Sequence, residues 1–106
     1  MPAPKKAKLS VTIAHKKGEC HIHPSVVVVP AGRTVTFKKS IPGTVYVQVS
    51  RIGRPFKFKK NTRVLKIPRS TRMGIYPYAV FCYDRKDFCT GSSMPIIIVP
   101  TPDRAR

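Results

Sequence analysis

Short β-type segments, separated by turn residues, limit what this chain can fold into more than any other feature of its sequence. Runs rich in Val, Ile, Thr, Tyr and Phe recur along the chain, at 9–14, 25–29, 34–38, 44–49, 55–59, 63–67, 76–83 and 95–99. Proline and glycine turns separate the runs, and no stretch keeps the 3.6-residue periodicity of an amphipathic helix. The pattern predicts an all-β protein that forms a single antiparallel β-sandwich or barrel.

Alternation within the runs predicts which side chains enter the core. Val35 and Phe37 lie on one face of their strand, and the polar residues beside them lie on the other. The runs at 25–29 and 95–99 are apolar on both faces, which is typical of strands at the centre of a sandwich or beneath a neighbouring element. We therefore expect both faces of these two strands to be buried.

The length and the two ends of the chain define the domain. A chain of 106 residues suits one domain. The charged, proline-containing ends predict a basic flexible tail at 1–8 and a flexible C-terminal tail at 101–106, which leaves the domain at 9–100. No apolar run is long enough to span a bilayer, and the amino terminus lacks the apolar region of a signal peptide. We expect a cytoplasmic protein if the chain is complete, and a periplasmic or secreted one if a leader was removed.

The charge of the chain is strongly positive, at +17, with 21 Lys and Arg against four acids. No acidic residue occurs from His21 to Tyr83, and the cations are densest at 51–72. Such a surface attracts polyanions, of which nucleic acid and acidic proteins are candidates. The predicted polyanion-binding residues are Arg51, Arg54, Lys57, Lys59, Lys60, Arg63, Lys66, Arg69 and Arg72, together with Lys38 and Lys39.

Two aromatic residues interleave with the lysines of this basic segment. Phe56 and Phe58 alternate with Lys57 and Lys59, a mixture that suits phosphate contacts with base stacking. The same alternation also describes a strand whose aromatic face belongs to the core and whose lysines form a solvated face. In both cases the lysines remain available to a polyanion. The four carboxylates show no spacing that suggests a nucleophile with its base, so we predict a non-enzymatic protein.

Sulfur atoms gather in one loop near the carboxyl end. The stretch FCYDRKDFCTGSSM, at 81–94, contains Cys82, Cys89 and Met94. Thiolates with a thioether are adequate ligands for a soft metal such as Cu(I). Cys82 also fits a buried core position, and a Cys82–Cys89 disulfide would close a short loop. A reducing compartment favours thiols over disulfides.

A third cysteine, Cys20, is flanked by His21 and His23 in the segment ECHIHP. Strand alternation places Cys20 on one face and both histidines on the other. Two histidines at i and i+2 can chelate a divalent metal. If this strand lies near the loop of Cys82 and Cys89, a mixed site can form.

Two blocks of the sequence carry a family resemblance. In IHPSVVVVPAGRTVTFKKS (22–40), a proline is followed by a hydrophobic strand, a glycine turn and a T-V-x-F strand. In GIYPYAVFCYDRKDFCTGSSMPIIIV (74–99), a glycine and alternating aromatics lead to a cysteine, and a methionine precedes the last strand. These blocks resemble those of the cupredoxins, the plastocyanin-like proteins. The resemblance implies a Greek-key β-sandwich over 9–100, with Cys82 and Met94 at positions of copper ligands.

The resemblance does not extend to the usual copper site. A type 1 copper centre takes two histidines, a cysteine and a weak axial methionine, and neither histidine position of the family pattern holds a histidine here. We therefore predict a cupredoxin-like binding module that contacts a polyanion and needs no cofactor. The alternative is a soft-metal (copper) or redox protein that uses Cys82, Cys89 and Met94, with His21 or His23. A third hypothesis is a subunit of a larger assembly whose basic face packs on a partner.

Overall fold

The computed structural model describes residues 9–16, 18–83, 86–91 and 94–101. The predicted tails lie outside these residues, apart from Thr101. The described part is all-β, which confirms the predicted class, and no helix capable of crossing a membrane is found in it. The strands are β1 (Ser10–Lys16), β2 (Glu19–His23), β3 (Val26–Val28), β4 (Thr34–Lys39), β5 (Val45–Val49), β6 (Phe56–Phe58), β7 (Thr62–Lys66), β8 (Gly74–Cys82), β9 (Asp87–Phe88) and β10 (Ile96–Val99).

The strands form two sheets. The first sheet has the order β2-β1-β4-β7, and the second has the order β3-β10-β8-β5-β6, with β9 also paired to β8. One hydrophobic core contains side chains from both sheets. This arrangement is compatible with a β-sandwich.

The prediction of a purely antiparallel fold is wrong, because both sheets are mixed. Strand β1 is parallel to β4 in the first sheet, and β3 is parallel to β10 in the second. The chain leaves the first sheet after His23 and enters the second at Val26, so β2 and β3 belong to different sheets. Alternating hydrophobicity indicates the face that a side chain occupies, but it carries no information about the direction of a partner strand that is distant in sequence.

The predicted core faces are confirmed where the pattern alternates. Val35 and Phe37 of β4 are fully buried. The expectation of burial on both faces is wrong for β3, where Val27 is buried but Val28 is 50 % exposed. In β10, Ile97 is buried and its two isoleucine neighbours are half-buried. A two-layer structure buries only one face of each sheet. Among the described residues, no further element covers the outer face of the second sheet.

Candidate functional site

Ten of the eleven predicted polyanion-binding residues are exposed, and none of the ten is in an ion pair with a described residue. The exception is Lys39, which is only 6 % exposed. Its side chain lies on the core face of β4, and its ammonium group donates a hydrogen bond to the Ile41 carbonyl at 2.9 Å. Lys39 must therefore be removed from the predicted surface, because a buried ammonium group cannot reach a phosphate.

The exposed cations do not share one face. Lys38 and Lys66 extend from the outer face of the first sheet, where each is paired with a threonine across the ladder. Lys57 lies on the outer face of the second sheet, beside Tyr46. The structure therefore distributes the basic segment 51–72 over several sides of the domain, as strand alternation requires.

Two arginines from distant loops meet at one end of the domain. Arg51 follows β5, and Arg72 precedes β8, and both line an open cleft of about 550 Å³ that also includes Ser70 and Thr71. The Tyr76 hydroxyl fixes this loop by donating a hydrogen bond to the Arg72 carbonyl at 2.6 Å. No acidic residue lines the cleft. Guanidinium groups donate charge-assisted and often bidentate hydrogen bonds to phosphate oxygens, and hydroxyl groups can add neutral ones.

The aromatic residues of the basic segment belong to the interior side of their strand. Phe58 is buried, and Phe56 packs at 5.9 Å from the ring of Phe37. The guanidinium carbon of Arg63 lies 4.8 Å from the centroid of the Phe56 ring, within the range of a cation–π contact. Phe58 is therefore covered by the core and Phe56 packs against it, an arrangement that fits the interpretation of these two residues as a core face.

Sequence reasoning missed a different set of aromatic side chains, on the outer face of the second sheet. Lys57, Tyr46, Phe81 and Phe88 lie side by side across four strands. The ring of Phe81 is 4.9 Å from that of Phe88 and 5.9 Å from that of Tyr83, and Tyr83 is 6.0 Å from Tyr46. We call Tyr46, Phe81, Tyr83 and Phe88 the aromatic row. The alternation of β8 was the available signal, because it places Phe81 and Tyr83 on the face opposite Cys82.

The three cysteines form a buried cluster between the sheets. The sulfur of Cys82 lies 3.0 Å from that of Cys20 and 3.3 Å from that of Cys89, and all three residues are at most 5 % exposed. Backbone hydrogen bonds hold β2 beside the loop: the Thr90 N–H donates to the Cys20 carbonyl, and the Ile22 N–H donates to the Thr90 carbonyl. The strand of Cys20 therefore does lie near this loop.

Cys20 and Cys89 are at disulfide distance. The expectation of three thiols is overturned, and so is the alternative pairing of Cys82 with Cys89. The two bonded residues are 69 positions apart, and the sequence contains no local signal that brings them together. Because two of the three sulfurs are bonded to each other, the cluster alone is no evidence for a cofactor.

The other predicted metal ligands lie apart from the buried sulfurs. Met94 is 68 % exposed, whereas the cysteines are buried. His21 and His23 are on the outer face of β2, opposite Cys20, and line a separate cavity. The structure therefore does not assemble the mixed site that the sequence allowed. His21 instead lies 3.4 Å from the Glu19 carboxylate, measured from Nε2 to Oε1.

The side chain of Tyr78 is buried on the inner face of the second sheet. Tyr78 packs edge-on against Phe37 with a centroid distance of 5.8 Å. Its hydroxyl is buried and has no hydrogen-bond partner among the described residues. Burial raises the pKa of this phenol well above its ordinary value, so the group stays neutral across the physiological range.

Comparison with known proteins assigns no relative to this chain: no family model matches it, and no curated protein matches it.

Proposed function

We propose that this chain is a non-enzymatic binding module of cupredoxin-like fold that contacts polyanions, nucleic acid first among them, through its exposed cations. The observation that carries the proposal is the set of ten exposed cations that form no ion pair with a described residue. Like charges at this density repel one another until an anion is bound. Each phosphate contact also releases counterions, so binding by such a surface is favoured at low salt.

The cleft of Arg51 and Arg72 is the place on this surface most suited to a phosphate group. Two guanidinium groups line it with two hydroxyl groups, and an arginine can donate two parallel hydrogen bonds to one phosphate. Contacts of this kind position a nucleic acid but do not read its sequence. We therefore expect affinity with little dependence on base sequence.

Two features support the cupredoxin-like part of the proposal. The two resembling blocks cover strands in both sheets, with Cys82 at the end of β8 and Met94 just before β10, in the order that the family pattern requires. The chain also passes repeatedly between the sheets, from β3 to β4, from β4 to β5, and from β6 to β7 to β8. Such crossings are typical of Greek-key sandwiches.

The absence of catalysis is proposed from the positions of the carboxylates. Of the four acids, the structure describes Glu19 and Asp87, which lie on strands of different sheets. Glu19 is beside His21 on an exposed strand, and Asp87 is on the short strand β9. The paired carboxylates of a glycoside-hydrolysing site must instead flank one reacting bond.

The experiment is a salt series of binding to mixed-sequence duplex DNA, measured by fluorescence anisotropy. We expect the logarithm of affinity to fall linearly with the logarithm of salt concentration. The double variant Arg51→Ala/Arg72→Ala should weaken binding more than Lys38→Ala/Lys66→Ala, which removes the same charge from the first sheet. Absence of binding at low salt, or a slope near zero, contradicts the proposal.

A second candidate function, soft-metal (copper) binding, is favoured by one observation. The ligand atoms of Cys20, Cys82 and Cys89 all lie within 4.8 Å of one another. After reduction of the Cys20–Cys89 pair, these residues offer three sulfurs to Cu(I), and Cys20 takes the place that was predicted for Met94. Titration of the reduced protein with Cu(I) tests this function. Equal binding by wild type and Cys82→Ser would exclude it.

A further inference from the structure

The aromatic row lies on the outer face of the second sheet, and its side chains are not part of the hydrophobic core. Phe88 is 62 % exposed and Tyr83 is 45 % exposed, while Tyr46 and Phe81 are half-buried. The outer face of a two-layer sheet normally carries polar side chains. Four neighbouring rings at such a position are a contiguous apolar patch, and patches of this kind mark binding sites.

Positive charge and hydrogen-bonding groups accompany the rings. Lys57 is at one end of the row, next to Tyr46 across the ladder. Lys86 is exposed in the turn between β8 and β9, where its backbone N–H donates to the Tyr83 carbonyl at 3.2 Å. Gln48 lines the same shallow depression as the rings. No acidic side chain occurs on this outer face within the part of the chain that the structure describes.

Exposed rings next to cations should bind some classes of polyanion better than others. Flat rings offer stacking surfaces to bases, and nearby ammonium groups contact the phosphates between them. The bases of a single strand can separate and stack on aromatic side chains, whereas a duplex keeps its base faces covered. A polyanion that lacks bases, such as heparin, can use the cations but not the rings.

We propose that the aromatic row is a stacking platform for single-stranded nucleic acid, in which bases lie on Phe88, Tyr83 and the neighbouring rings and phosphates contact Lys57 and Lys86. The inference rests on the proposed polyanion-binding function and names the ligand class for this face. The net charge of the chain, +17, favours this occupant, because such a charge attracts a polyanion and gives an uncharged apolar protein partner no advantage.

The test compares three ligands: an oligothymidylate of about 15 nucleotides, within the site size of a small β-domain, a mixed-sequence duplex, and heparin. The chain contains no tryptophan, and two of its four tyrosines, Tyr46 and Tyr83, belong to the aromatic row, so quenching of tyrosine fluorescence that is lost in Tyr83→Phe reports stacking. We expect Phe88→Ala to weaken oligothymidylate binding by about tenfold or more, with no change for duplex or heparin. The control Val28→Ala removes an exposed apolar side chain from the outer face of β3, outside both the aromatic row and the cleft of Arg51 and Arg72, and should change none of the three.

A second variant separates stacking from simple hydrophobic contact. Phe88→Leu keeps the apolar side chain but removes the ring, so it should lose as much oligothymidylate affinity as Phe88→Ala. Full affinity in Phe88→Leu or in Phe88→Ala overturns the stacking inference while duplex and heparin binding remain. Failure of the wild-type protein to bind any of the three ligands overturns the proposed function itself. Binding to anionic phospholipid vesicles that depends on Phe88, with oligothymidylate binding unaffected, also overturns the inference.

Discussion

The two faces of the second sheet are both apolar, yet only one of them contributes to the core. On the inner face, Val47, Val80 and Ile97 are fully buried. On the outer face, Phe88 and Ile75 are 62 % and 64 % exposed. The free energy of folding comes from the inner face, because apolar area stabilises the fold only when it leaves water. The outer face is therefore free to serve a ligand, and the following experiments test this division.

The largest expected effect concerns the Cys20–Cys89 bond, which connects β2 of the first sheet to the residue after β9 of the second sheet. Reduction of the Cys20–Cys89 bond should lower the free energy of unfolding by about 4 kcal/mol, because the bond closes a long loop in the unfolded chain. Urea unfolding with and without reductant measures this change. In the double variant Cys20→Ser/Cys89→Ser, reductant should have no effect. Identical unfolding midpoints for the oxidised and reduced wild type would contradict the prediction.

An Ile→Ala substitution should lower the free energy of unfolding more on the inner face of the second sheet than on its outer face. Ile97→Ala removes a fully buried side chain and should lower the free energy of unfolding by about 2–5 kcal/mol. Ile75→Ala removes an exposed side chain and should change it by no more than about 0.5 kcal/mol. Chemical denaturation of both variants gives the comparison. Equal losses would mean that the outer face is also part of the stabilising core.

Removal of a tyrosine hydroxyl should affect stability in alkali at Tyr78, which is buried on the inner face, but not at Tyr83, which is exposed after β8. Burial raises the pKa of Tyr78 in the folded state above its ordinary value of about 10. The unfolded state therefore loses this proton first, so stability is fully present below about pH 10 and falls as the pH rises beyond it, by about 1.4 kcal/mol per pH unit. In Tyr78→Phe this fall should be reduced, whereas in Tyr83→Phe it should persist. Denaturation at a series of pH values distinguishes the two.

The smallest expected effect is on the salt dependence of oligothymidylate binding. Lys57→Ala should leave the free energy of unfolding within about 0.5 kcal/mol of wild type, since the side chain is exposed on the outer face. For oligothymidylate, we expect the slope of log affinity against log salt to decrease in size by about 0.7, the contribution of one phosphate contact to a single strand. An unchanged slope would remove Lys57 from the stacking platform.

The sequence predicted local features of the fold well and long-range features poorly. Val35 and Phe37 could be assigned to the core because alternation in a strand is a local property. The parallel pair of β3 and β10 and the bond between Cys20 and Cys89 could not be predicted, since each joins segments about 70 residues apart. The exposure of Val28 was also hidden, because an apolar run looks the same whether or not another layer covers it.

The candidate site also contains some residues that the sequence predicted and others that it did not. The exposed cations of 51–72 followed from composition alone, but Lys39 was misplaced because the alternation of β4 continues one residue further than predicted. The aromatic row was missed because its members come from three strands and a turn, and only the register of β5, β8 and β9 brings them together. Of the soft-metal ligands predicted from one loop, Cys82 and Cys89 lie together, whereas Met94 is exposed and lies apart from them.

Cys89 directly follows Phe88, so the bond to Cys20 holds the end of β9. This strand is two residues long, and among the described strands it pairs with β8. The outermost ring of the platform is thereby preorganised. The conformational entropy of placing Phe88 is lost when the protein folds and oxidises, and a ligand does not have to supply it again on binding.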